Sequence, residues 1–180
     1  MKFFSLSFLS ALLLLISGCS ALVGTKVKEP FSGKKYTSNA KYFRSTGNGV
    51  STRDAVASSK ADIEAKKDLA QQVTTTIQVV TDAYAQDVQG EHVDQAIERF
   101  ETLAREITNT TIGDLRKLGE KKFLLDDGKY SVYVTYEIKK SAMFRFLKKK
   151  AKLDDKISPM ARTQIINMCD SEIEKLEALD

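Results

Sequence analysis

Hydrophobic positions fall along this chain in three rhythms after an apolar opening run, Phe3 to Leu15. Lys41 to Val50 reads as a strand that ends in a glycine-rich turn, Gly47-Asn48-Gly49. Ser51 or Thr52 then caps a long helix reaching to about Tyr84, with Asp54 in the first turn, where the helix dipole favours an acid. Ala57, Ala61, Ala65, Leu69 and Val73 recur every four residues, and Ala70, Ile77, Val80 and Tyr84 extend that face. Its small residues allow close approach to a sheet. The stretch Thr74–Thr81 is β-branched enough for a strand on propensity, but the stripe runs through it unbroken and predicts helix. Gln89-Gly90-Glu91 breaks the chain before a second amphipathic helix carrying Val93, Ile97, Phe100, Leu103 or Ala104, and Ile107. Thr111 to Leu125 reads as a strand with Gly119 as a bulge, and Asp126-Asp127-Gly128 as a hairpin turn. Tyr130, Val132, Val134, Tyr136 and Ile138 then alternate with Ser131, Tyr133, Thr135 and Glu137, predicting a strand with one face in the core and one half wet.

Beyond Ile138 the character changes. Lys139 to Lys152 holds seven basic residues and no acid, interleaved with Met143, Phe144, Phe146 and Leu147. Ser158-Pro159 opens a last helix with Ile166, Cys169, Ile173 and Leu176 on one stripe and an acidic final third. Acids at a helix C-terminus are the wrong sign for the dipole, and folding back beside Lys139, Lys140 and Arg145 would compensate them. The expected class is α+β: a long amphipathic helix and a second helix packed on a small antiparallel sheet, with a C-terminal helical arm.

The opening run is too short for a permanent membrane span and, behind Lys2, has the build of a secretory signal. Ile16-Ser17-Gly18-Cys19 resembles the bacterial lipobox, in which cleavage falls before a lipid-bearing cysteine. The alternative is an ordinary secretory signal with a chance cysteine. On the lipobox reading the mature chain begins at acylated Cys19, with Ser20 rather than an inner-membrane-retaining Asp next to it. That favours the outer membrane, its periplasmic or surface face left open. The expected organisation is a signal peptide over 1–18, a lipidated tether over 19–40, a core domain over 41–139, and a basic then acidic helical arm over 140–180. The tether is polar and basic, with Phe31 and Tyr36 as the positions open to packing on the body.

Composition narrows the chemistry. The net charge is +4, and Lys2 is the only charged residue among the first 18, so the remainder carries +3, too mild to point to nucleic acid. With Cys19 taken by lipid, Cys169 has no intrachain partner; it reads as a buried small hydrophobe, with an intermolecular disulfide as the alternative. A single histidine, His92, offers no zinc set, and no metal or cofactor is expected. Gly47-Asn48-Gly49 lacks the Lys-Ser/Thr of a P-loop, and Asp126 and Asp127 are turn carboxylates, not an acid–base pair across a cleft. No catalytic grouping emerges, so an enzyme is not expected. Lys140, Arg145, Lys148, Lys149 and Lys150 are candidate contacts to an anionic surface, set against their neutralisation by the acidic last helix.

The glycine-containing strand end STGNGVS, the run ASSKADIEAKKDLAQQV and the late hairpin EKKFLLDDGKYSVYVTYEI together resemble the Lpp-twenty family of bacterial lipoproteins. The A-x-x-x-L-A close is matched by Ala65, Leu69 and Ala70, and the resemblance spans roughly 41–139 plus the lipobox. It implies a long helix lying across a small antiparallel sheet and an envelope location, and brings no catalytic residues. The function expected is a non-catalytic envelope lipoprotein acting as a structural or protein-binding module, through an envelope protein partner or self-association. The alternative is a lipid- or anionic-polymer-binding module using Lys139–Lys152.

Overall fold

The Gly47-Asn48-Gly49 segment is not a turn. In the computed structural model, which describes residues 27–88, 90–110 and 114–179, it lies inside strand β1 (Tyr42–Ser51). Helices α1 (Asp54–Asp87) and α2 (Glu91–Thr110), strands β2 (Arg116–Leu124) and β3 (Tyr130–Lys139), and helices α3 (Lys140–Leu153) and α4 (Pro159–Glu177) follow in that order. The molecule is α+β: four helices and an antiparallel three-stranded sheet in the order β1-β3-β2. Gly47 pairs with Val134 and Gly49 with Val132, while Arg116 and Lys121 of β2 stand opposite Glu137 and Tyr133. The bulge falls where Gly119 predicted it, between Lys117 and Gly119, and Gly128 turns the hairpin with φ of 77°. Residues 111–113, the expected start of β2, lie outside the described residues.

The two strand glycines are the seat of the long helix. A Cβ on Gly47 would overlap the Ala61 carbonyl oxygen and stand 2.5 Å from the Ala65 nitrogen; one on Gly49 would overlap the Ala57 oxygen and stand 2.6 Å from the Ala61 nitrogen. Helix backbone therefore lies directly on strand backbone, with Ala57, Ala61 and Ala65 fully buried in the seam. The every-four spacing has a second consequence. Each step of four overshoots a helical turn by about 40°, so the buried row Ala57, Ala61, Ala65, Leu69, Val73, Ile77, Thr81 winds by about 240° around α1. Its first half faces the sheet, and its second half faces the other helices. The threonine-rich stretch stays helical because the buried row Val73, Ile77, Thr81 runs through it; the exposed Thr74 and Thr75 hydroxyls donate back to the Ala70 and Gln71 carbonyls, each at 3.0 Å. The expected cap is absent: Arg53 occupies the N-cap position without a side-chain bond, and Ser51 Oγ accepts the Arg53 N–H instead. Asp54 does sit in the first turn.

The C-terminal helices are no detached arm in their packing. Met143, Phe144, Leu147 and Ala151 of α3 and Ala161, Ile165, Met168 and Cys169 of α4 share one core with Phe43, Leu69, Phe100 and Ile138. The change at 139/140 is one of charge, not of core. On α4 the buried line is Ile165, Met168 and Cys169, and Ile166 is only half buried. On α2 it includes Ala96, with Ile97 on the flank; the Ile107 side chain lies outside the described residues. Arg99 of α2 pairs with Asp154 in the α3–α4 turn, and Arg162 donates to the Asp154 and Ile157 carbonyls. Ser158 caps α4, accepting from the Ala161 N–H, as its sequence predicts.

Candidate interaction surface

The second face of β3 is not half wet. Ser131, Thr135 and Glu137 are buried on it and Tyr133 partly so, and residues 31–38 pass over this outer face of the sheet as a strap, meeting it at Gly119 and Arg44. Phe31, at φ of 59°, lays its ring over Gly119, where a Cβ would stand 2.8 Å from the ring edge. The bulge glycine is thus a cradle for the aromatic. Tyr36 meets Phe31 edge to face at 5.1 Å, and Lys121 Nζ lies 5.5 Å over the Phe31 ring. At the far side Arg44 donates to the Thr37 carbonyl at 3.1 Å, and Ser38 Oγ accepts the Arg44 N–H at 2.8 Å. Residues 31–38 of the expected tether are therefore docked, with Phe31 and Tyr36 the packing positions.

Arg44, Glu137 and Arg116 stand in register across the three strands. Arg44 Nε reaches one carboxylate oxygen of Glu137 at 2.9 Å and Arg116 Nη2 reaches the other. Glu137, with 5% of its side chain exposed, is buried but bonded on both oxygens. On the opposite face Tyr136 donates to Asp62 at 2.5 Å, with Lys66 2.8 Å from the same carboxylate. Burial and the Asp62 charge push the Tyr136 hydroxyl up to about 12. Burial alone would raise Asp62, but the bonds from Lys66 and Tyr136 outweigh it and hold the carboxyl below its usual range.

The sheet edges differ. On β1 the backbone groups facing away from β3 are met by side chains: Arg44 by Ser38 and Gln72, Asn48 N–H by Glu64 at 2.7 Å, and Val50 C=O by Lys60 at 3.2 Å. Alternation across the ladder then turns the backbone of Glu120, Lys122 and Leu124 outward on β2. That edge carries Lys117, Lys121 and Lys122 and ends in three consecutive exposed apolar residues, Phe123 (44% exposed), Leu124 (67%) and Leu125 (39%). Phe123 is held edge to face against Tyr133 at 6.0 Å.

No family model, curated protein or solved structure matches this chain.

The site residues expected from sequence are scattered by the fold. Ile16, Ser17, Gly18 and Cys19 lie outside the described residues. Lys140 rests on the Phe43 ring at 4.7 Å, and burial pulls its ammonium below the usual range. Arg145 pairs with Glu177 and Lys148 with Asp170, so the last helix does fold back beside the basic one. Lys149 and Lys150 are exposed, the latter 5.5 Å over the Phe146 ring. These five cations form no common face. Cys169 is fully buried, and burial pushes its thiol to about 12, which fits the small-hydrophobe reading and not a reactive thiol. His92 is exposed, and Asp127 accepts from the Lys129 backbone and ammonium, whose bonds hold its carboxyl below the usual range. Among the described residues no His, Cys, Asp and Glu group could hold a metal, and no helix is long and apolar enough to cross a membrane. The cross-strand Arg44–Glu137–Arg116 set went unseen in the sequence, because it depends on a register between strands about 90 residues apart. The Phe123-Leu124-Leu125 run carried its own signal: three apolar neighbours in a strand cannot all face one side.

Proposed function

We propose that this chain is a non-catalytic envelope lipoprotein, tethered to the outer membrane through acylated Cys19, whose body acts as a structural or protein-binding module. The observation that carries the reading is the fastening of residues 31–38 to the sheet a short distance after the Ile16-Ser17-Gly18-Cys19 box. A body meant to drift on a loose leash gains nothing from that strap; one presented from a membrane at a defined point does. The similarity of residues 41–139 to the Lpp-twenty lipoproteins supports the same reading. The open edge of β2 around Glu120 and Lys122 is the surface offered to a partner, since unpaired strand edges recruit extended segments. The alternative use of Lys139–Lys152 on an anionic polymer or lipid is weakened by the pairing of Arg145 and Lys148 within the chain. In cells fed labelled fatty acid, the wild-type chain should carry label and sediment with membranes. Cys19→Ser should lose both, either retained uncut or released by other processing. Label persisting on the variant would sink the assignment.

A further inference from the structure

We infer that the end of the β2–β3 hairpin meets the membrane edge-on, near where the strap joins the sheet, so that Phe123 on one face, Leu124 on the other and Leu125 beyond them rest in the interface of the anionic bilayer that holds the anchor. The inference rests on the lipid-anchor reading and adds an orientation to it. Three observations converge. The first is where the chain leaves the body. The strap begins its contacts at Phe31, over Gly119 of β2, and Val27 before it is exposed. Phe31 lies twelve residue steps after Cys19, a reach of at most about 40 Å. From Gly119 to Leu124 is five residues along the strand, about 17 Å. The hairpin end therefore lies well inside the radius at which the anchor holds the body to its bilayer.

The second observation is charge. Residues 27–40 and 116–129 hold eight basic and four acidic residues, a net +4, whereas the rest of the chain after residue 18 sums to −1. Lys28, Lys34, Lys35, Lys117, Lys121, Lys122 and Lys129 are all exposed. Lys117, Lys122 and Lys129 are paired with Glu120, Asp54 and Asp127, so Lys28, Lys34, Lys35 and Lys121 carry most of the charge this side offers to anionic headgroups. The third is the apolar run itself. Exposed apolar residues elsewhere, such as Ile63, Val79 and Met160, stand singly, while the hairpin presents three in succession. Such a run, rimmed by lysines, is the composition of a shallow interfacial contact. Asp127 is already occupied by Lys129, which leaves Asp126 as the turn's uncompensated acid at headgroup level.

The chain has no tryptophan, so a single one reports cleanly. Leu124→Trp and, as a control, Val79→Trp both replace exposed residues in the lipidated full chain. Lys122 bonds Asp54 at the start of α1, and Val79 lies 25 residues farther along that helix, about 37 Å away. On vesicles of phosphatidylcholine and phosphatidylglycerol, the Leu124→Trp chain should show blue-shifted emission quenched by bromine placed high on the acyl chains. The Val79→Trp chain should emit as in water. Adding Lys34→Glu and Lys35→Glu should weaken the quenching without releasing the protein. Vesicle flotation separates the two ideas. Protein that floats with an unquenched Leu124→Trp reporter overturns the orientation, leaves the anchor standing, and frees the hairpin for a protein partner. Equal quenching of both reporters also overturns it. Protein that does not float overturns the anchor and the orientation together.

Discussion

At Gly49 a single hydrogen atom stands where any other residue would place a carbon inside the Ala57 carbonyl. Backbone cannot swing aside as a side chain can, so Gly49→Ala must lift α1 from the sheet. We expect it to cost about 3 kcal/mol or more, toward the upper end of overpacking effects, as read from the denaturant midpoint. Glu137 makes a different kind of demand. Arg44→Ala would leave a buried carboxylate held only by the mostly exposed Arg116, a loss of about 3 kcal/mol. Arg44→Ala combined with Glu137→Gln should recover part of it, and a double variant no more stable than the single one would refute the pairing. Tyr136 supplies a pH test. Its hydroxyl is raised in the folded state, so its contribution is complete below the usual tyrosine value of about 10 and is lost as pH climbs toward about 12. Asp62 works in the other direction: its lowered carboxyl contributes above its ordinary range and loses that contribution as pH falls. Tyrosinate absorbance should therefore show a late alkaline step that disappears in Tyr136→Phe, and an unchanged step would exclude the Asp62 contact.

Among the elements, α1 and α4 carry the sharpest expectations. Leu69 sits where the winding row passes from sheet to helices, and Leu69→Ala should cost about 2–5 kcal/mol. On α4, Ile165→Ala should fall in the same range and Ile166→Ala well below it; the reverse order would mean that the helix is rotated. The exposed Arg145–Glu177 pair should contribute under about 1 kcal/mol and fade with salt. Periodicity made most of this legible. The long helix, the bulge at Gly119, the hairpin at Gly128 and the Ser158 cap all carry local signals. Gly47 and Gly49 misled because glycine marks both turns and close approaches, and only the alanines 8 to 18 residues later distinguish the two. The neighbouring Ile165 and Ile166 misled for a similar reason, since a one-residue rotation separates two equally apolar stripes. Of the interaction surface, the apolar run of the hairpin was readable and Phe31 and Tyr36 marked where the tether packs, but nothing in residues 31–38 names the sheet face they cover.

For the molecule as a whole, the helical layer and the sheet are joined by α1 and by the core that Phe43 and Ile138 share with the C-terminal helices. Deleting residues 159–180 removes Ile165, Met168 and Cys169 from the shared core, so the truncated chain should fail to fold cooperatively rather than merely lose an arm; a sharp thermal transition in it would contradict a single core. The strand order β1-β3-β2 has a further consequence, in time rather than space. A ribosome delivers β1 early, yet among the described residues its strand partner lies about 90 residues downstream, as the Thr135 hydroxyl bonded to the Ser45 carbonyl marks. Until residues 130–139 have emerged, the glycine strand has no ladder to join, and the alanine seam of α1 has only half of its seat. Closing so long a loop is slow. The first strand made is thus among the last to be secured, and the nascent chain must pass through a period in which its glycine strand waits for its neighbour.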